Sequence, residues 1–176
     1  MKKLFLIVGF MAVVATTRAQ EVFAKDDFVG HAGIGIGSYL GGDPYKLSVL
    51  PLALSGEYGI LDSFIRGKAA VGVGGYLAYA ASKVPHTRAR VSHFVLGVRG
   101  VFHYQFVEKL DTYAGISCGY NIETEKHTEG NSYPGSSAII PASFIGARYY
   151  VNDQWALFAE IGYGIAPLEL GVAFKF

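Results

Sequence analysis

Residues 168–176 read LELGVAFKF. Leu168, Leu170, Val172, Phe174 and Phe176 are apolar, and Glu169, Gly171, Ala173 and Lys175 stand between them. A period of two places the two sets on opposite faces of one strand. In a soluble sheet the apolar face meets a packed core; in a membrane barrel it meets lipid, and the other face lines a lumen. The rest of the chain decides between these by where its charges fall.

The alternation recurs upstream. It predicts eight strands, at about 28–38, 47–59, 64–79, 90–107, 112–122, 139–151, 155–165 and 168–176. ILDS, EKLD and NDQ make three short connections, between the second and third, fourth and fifth, and sixth and seventh strands. YLGGDPYK, ASKVPHTRA and ETEKHTEGNSYPGSS are longer, and a brief AP precedes the last strand. Short turns alternating with longer loops, in an even-stranded chain, match the two ends of an outer-membrane barrel. The fold expected is therefore all-β: an eight-stranded antiparallel up-and-down transmembrane barrel.

The faces support that choice. On the fourth strand Phe94, Leu96, Val98, Phe102, Tyr104 and Phe106 share one side, and His93, Gly97, Arg99, His103 and Gln105 the other. The seventh strand sets Trp155, Leu157, Ile161 and Tyr163 against Glu160, and the third sets Val71, Val73, Leu77 and Tyr79 against Arg66, Lys68, Gly72, Gly74 and Tyr76. A sandwich core could not bury so many facing charges. Tyr79, Phe94, Tyr120 and Tyr163 fall near the loop ends; Tyr58, Phe106, Tyr149, Trp155 and Phe176 fall near the turn ends. From Phe94 to Tyr104 is roughly 33 Å of strand, or about 25 Å of height at a tilt near 40°, the height of an apolar band between two aromatic girdles.

The beginning of the chain fits the same destination. Lys2 and Lys3 precede an apolar run from Leu4 to Ala15, and Thr17, Arg18 and Ala19 follow: a secretory signal over residues 1–19, cut after Ala19. Residues 20–176 then form one barrel domain. Loss of Lys2, Lys3 and Arg18 takes the 15 basic residues to 12 against 14 acidic ones. A mature chain near neutrality carries no electrostatic case for nucleic acid. No cysteine follows the apolar run, which argues against a lipid anchor there. Cys118 is the single cysteine, so disulfides do not hold the domain. The mature residues contain no run of about 18 apolar residues, so a spanning helix is not expected.

A terminal aromatic behind alternating apolar residues resembles the C-terminal assembly signal of bacterial outer-membrane proteins, carried here by Phe174 and Phe176. The mature chain resembles the small eight-stranded barrels of the OmpX and OmpA-transmembrane type, and its AQ cleavage region resembles exported proteins of the Bacteroidetes. The resemblance implies residence in the bacterial outer membrane, contact with its lipid, and delivery by the barrel-assembly machinery through the last strand. It transfers no functional residue.

The inward charges are expected at Glu57, Arg66, Lys68, Arg99, Arg148, Glu160, Glu169 and Lys175. A turn centred between Leu61 and Asp62 sets Glu57 opposite Arg66, and the NDQ turn makes Arg148 and Glu160 diagonal neighbours. An interior eight strands wide can be filled by its own side chains, which makes a self-neutralising polar plug the leading expectation. A narrow porin-like channel gated by those pairs is the alternative.

Other chemistries are weaker. Gly33, Gly35, Gly37, Gly72 and Gly74 lack the strand-to-helix context of a phosphate cradle and fit a narrow lumen instead. A lipid A-modifying enzyme would need a serine and a histidine on one rim. Ser92 and His93 are neighbours, so they face opposite ways; His31 and His103 sit low in the lumen, and His86 and His127 lie in loops. No catalytic residue, cofactor or metal is expected, and the histidines are too dispersed to form a metal site. The polar segment 123–137 could carry surface recognition. The resulting expectation is a monomeric barrel with a structural, adhesion or envelope-stability role.

Overall fold

The computed structural model describes residues 22–40, 46–83, 89–126 and 132–176. The expected secretory segment and its expected cleavage point, with His86 and His127, lie outside them. The strands are β1 (Phe28–Ile36), β2 (Lys46–Ser63), β3 (Ala69–Lys83), β4 (Arg90–Val107), β5 (Leu110–Lys126), β6 (Ser132–Pro134), β7 (Ala138–Tyr150), β8 (Trp155–Tyr163) and β9 (Leu168–Lys175). Apart from β6, a three-residue extension on the loop end of β5, each strand pairs antiparallel with two neighbours. The order β4-β3-β2-β1-β9-β8-β7-β5 closes through β4 and β5, so eight strands form a ring. Closure leaves no exposed edge, which a lipid-embedded sheet requires.

The turns are built by recognisable devices. The β4–β5 hairpin closes on Glu108 and Lys109, with Lys109 in the left-handed region at φ 61°. Between β7 and β8, Asn152 Oδ1 accepts the N–H groups of Gln154 and Trp155, at 3.0 and 2.7 Å, a side chain standing in for backbone. The β2–β3 turn differs from the sequence reading. The ladder runs on through Leu61 and Val71, and the chain reverses over Phe64–Gly67, with Ser63, Ile65, Arg66 and Gly67 all at positive φ. The third strand therefore begins at Ala69 and not near 64. Gly37, expected to point inward, lies just past β1 at φ 81° and is exposed.

Burial inverts the pattern of a soluble protein. Leu54, Leu96, Val98, Ile116, Ile145 and Leu157 are all exposed, whereas Arg148, His103, Glu57 and Asp111 are among the most buried side chains. Between its two ends the outward surface is thus apolar, with Tyr58, Tyr79, Phe94, Phe106, Tyr120, Tyr149, Trp155 and Tyr163 exposed on it. Only a hydrocarbon solvent makes that distribution stable.

Two apolar clusters close the interior at its ends. At the turn end Val22 and Phe23, from the segment before β1, pack with Val29, Ala70, Tyr150, Ala156, Phe158 and Ala173. At the loop end Leu40 packs with Tyr76, Ala78, Ala80 and Val95.

Candidate functional site in the barrel lumen

Between those stoppers lies a layered ionic core. Its lower layer is centred on Arg148, whose side chain is fully buried. Arg148 donates from Nε and Nη2 to Asp111 Oδ2 at 2.9 and 2.5 Å, and its Nη1 lies 2.8 Å from His31 Nε2 and 3.7 Å from Glu57 Oε2. His103 completes the layer. Its Nδ1 lies 3.1 and 3.0 Å from the Asp111 oxygens, and its Nε2 makes a short contact with Glu57 Oε1. With both carboxylates ionised, a ring placed between them satisfies both contacts as the imidazolium. His31 is the opposite case: its Nε2 accepts from Arg148, which leaves Nδ1 to donate to Ser55 Oγ at 3.2 Å. Two cations, Arg148 and His103, thus balance two carboxylates, Glu57 and Asp111.

Aromatic faces hold this layer from both sides. Phe23 stacks on His103 at 4.1 Å, and the Arg148 guanidinium sits 5.2 Å from the Phe23 ring and 5.1 Å from that of Tyr113. Phe23 arrives there because its segment is tied to the turn-end rim. Asp26 N–H donates to the Gly59 carbonyl and Gly59 N–H to that of Asp27, both at 2.9 Å, and Lys25 N–H donates to Asp62 Oδ2 at 3.1 Å. Gly59 has to be glycine, since a Cβ there would run into the Ala24 carbonyl.

The next layer toward the loops is Arg99 with Glu160. Nη2 donates to Glu160 Oε1 at 2.7 Å, the Tyr113 hydroxyl donates to the same oxygen at 3.0 Å, and the guanidinium lies 4.2 Å over the Phe144 ring. Arg99 and Glu160 line a cavity of about 60 Å³ of mixed character, together with Ser55, Tyr76, Ala142, Phe144 and Glu169. Glu169 folds across Gly33, whose missing side chain provides the space.

Five of the eight expected lumen charges therefore face the interior: Glu57, Arg99, Arg148, Glu160 and Glu169. The partnerships differ from the expectation. Arg148 and Glu160 are diagonal in the ladder, where Arg148 faces Phe158, but each is paired elsewhere. Arg66 is not opposite Glu57. It sits in the exposed left-handed turn, and Glu57 faces Val29 and Gly74 in the ladders. Lys68 lies beyond the same turn and is also exposed, because the strand starts one residue later. Lys175 stays at the turn-end rim, 2.6 Å from Asp27 Oδ2. The structure adds Asp111, His103, His31 and Phe23 to the charge network. Asp111 carried a usable signal: a two-residue EKLD turn puts it one step inside β5. Among the described residues no cluster of three or more His, Cys, Asp or Glu side chains could hold a metal ion, and Arg148 occupies the point where the Glu57 and Asp111 carboxylates converge.

Phe174 and Phe176 lie beside the seam. Phe176 N–H donates to the Phe28 carbonyl at 3.0 Å, and its ring is 5.3 Å from Phe28 and 4.9 Å from Phe174.

No protein-family model matches the chain, and no curated protein matches it. Solved structures do. Ail, the attachment invasion locus protein of Yersinia pestis, solved with the heparin analogue sucrose octasulfate, superposes with a TM-score of 0.61 at 14% identity, over 88% of this chain and 100% of that one. The N-terminal barrel domain of Pseudomonas aeruginosa OprF gives 0.57 at 13%, over 88% and 100%. Neisserial surface protein A gives 0.58 at 17%, over 85% and 95%. At such identities the likeness is one of fold. Taken with the closed ring and its exposed apolar belt, it makes this protein an eight-stranded transmembrane β-barrel of the bacterial outer membrane.

Proposed function

We propose that the protein is a non-conducting barrel that serves envelope stability and displays its loops for surface adhesion. The observation that carries this reading is the lower ionic layer. Arg148 is enclosed by two carboxylates, two histidines and the rings of Phe23 and Tyr113, and an apolar stopper lies on its turn-end side. An ion crossing the lumen would have to break several buried charge-assisted bonds at once. Display by a rigid scaffold accounts for the long loops, and Ail, the barrel solved with a sulfated sugar analogue, shows the same scaffold. We take the functional unit to be the monomer.

A narrow channel is the second reading, favoured by the cavity that Arg99, Glu160 and Glu169 line. Single-channel recording on refolded protein in planar bilayers separates the two. The closed reading expects a flat baseline, and steady stepwise conductance would replace it with the channel. No catalytic chemistry is assigned. Ser92 lies on the outer face, where its Oγ accepts from the Tyr79 hydroxyl at 3.3 Å, while His93 is buried inside. A lipid A mass profile unchanged by expression of the protein is the matching expectation.

A further inference from the structure

The loop end of the outer surface carries an ordered band of cations. Lys83 of β3 faces Arg90 of β4, and Arg90 faces Lys126 of β5. Lys83, Arg90 and Lys126 are exposed, and among the described residues none of the three is held in an ion pair. Strand parity puts them on the lipid side, two steps beyond Tyr79, Phe94 and Ile122. The acids of this stretch, Glu123 and Glu125, occupy the alternate positions of β5, and Glu123 leans toward buried His93 at 3.7 Å. Like charges placed directly opposite one another are unfavourable in a ladder unless something anionic lies across them.

Below the row the outer surface changes in steps. Ser92 and Thr124 come next, then Tyr79 and Phe94, then Leu77 and Leu96. Beside them runs a shallow, open apolar cleft lined by Ala32, Ile34, Leu54, Leu77, Tyr79 and Phe94. Four residues separate Phe94 from Arg90, which is about 10 Å of height at the tilt of such strands, within reach of a long basic side chain turned back toward the interface. Cation, hydroxyl, aromatic and aliphatic levels stacked in that order match phosphate, sugar and acyl chain.

We infer that the Lys83–Arg90–Lys126 row and the cleft beneath it bind a phosphorylated glycolipid of the outer leaflet, of the lipid A type. The cations meet its phosphates, Ser92 and Thr124 its sugars, and the cleft an acyl chain. The surface lies outside the ring, so the inference holds whether or not the lumen conducts.

The test uses the full chain refolded into phosphatidylcholine bilayers containing bisphosphorylated lipid A, dephosphorylated lipid A or phosphatidylglycerol at equal fractions. Native mass spectrometry after extraction counts the retained lipid. Bisphosphorylated lipid A should be retained. Retention should fall about tenfold or more for the dephosphorylated lipid, and equally for the Lys83→Gln, Arg90→Gln, Lys126→Gln triple variant. Heat-modifiable gel mobility shows that this variant folds. The inference is overturned by equal retention in the triple variant, or by no retention at all. Phosphatidylglycerol held as well as lipid A would reduce the row to a general anionic attraction. Displacement of lipid A by soluble sucrose octasulfate would make it a polysaccharide site.

Discussion

Asp111 and Arg148 stand directly opposite each other in the ladder between β5 and β7, and both Nε and Nη2 of the arginine close on one carboxylate oxygen. Replacing Asp111 by Asn leaves Arg148 and His103 facing Glu57 alone, an uncompensated buried charge. The cost should be about 3–5 kcal/mol in urea titrations of the lipid-folded barrel. Adding Arg148→Met restores a neutral layer of His103 and Glu57. The double variant should therefore be more stable than Asp111→Asn, and a double variant worse than either single change would refute the pairing.

Arg66 supplies the contrasting case. It lies in an exposed turn away from Glu57, so Glu57→Gln and Arg66→Met should be additive within about 0.5 kcal/mol. A larger coupling energy in the same titration would place Arg66 back in the lumen.

Phe23 is buried against His103 although it belongs to no strand. Phe23→Ala should cost about 3 kcal/mol by loss of packing. It should also loosen residues 22–27, read as faster amide exchange at Asp26 and Gly59, whose N–H groups tie the segment to the rim. The ionic layer remains, so the variant should still show no steady conductance.

On the lipid face, depth sets the cost of a charge. Val98 lies halfway along β4, and Val98→Arg should cost about 2–4 kcal/mol. Leu157 lies two residues from Trp155 at the turn end of β8, so Leu157→Arg should cost about 1 kcal/mol. The reverse order in a folding titration would mean that the membrane level is misplaced.

Phe176 is largely exposed and makes one backbone bond and two ring contacts. Its deletion should leave the refolded barrel nearly as stable in vitro and chiefly lower its level at the cell surface. Normal surface levels would count against an assembly role.

The strands and their lipid faces were legible because a period of two is local: each strand declares its own phase, as β4 and β8 did for Arg99 and Glu160. Partnership inside the ring is not local. Arg148, Asp111, His103, Glu57 and His31 come from β7, β5, β4, β2 and β1, and they meet only because closure brings non-adjacent strands within reach across a narrow bore. Turn placement decided two more positions. β5 begins at Leu110, two residues before the expected 112, which brings Asp111 into the lumen, and the turn at Phe64–Gly67 takes Arg66 out of it. Phe23 carried no periodic signal, since a segment that folds into a barrel mouth is neither helix nor strand.

The seam between β1 and β9 also bears on the segment that enters the barrel mouth. Val29 pairs with Lys175, and Lys175 reaches on to Asp27 and, at 3.5 Å, to the Val22 carbonyl. Contacts of the highest contact order in the ring thus add to the ties with Gly59 and Asp62 that fasten the stopper, and they form only when the ring closes. Until β9 docks, β1 is an open edge able to pair with another chain, and Phe23 has no fixed mouth to enter. Docking of the last strand would therefore complete two things together: the ring itself and the anchorage of the segment that caps its turn end.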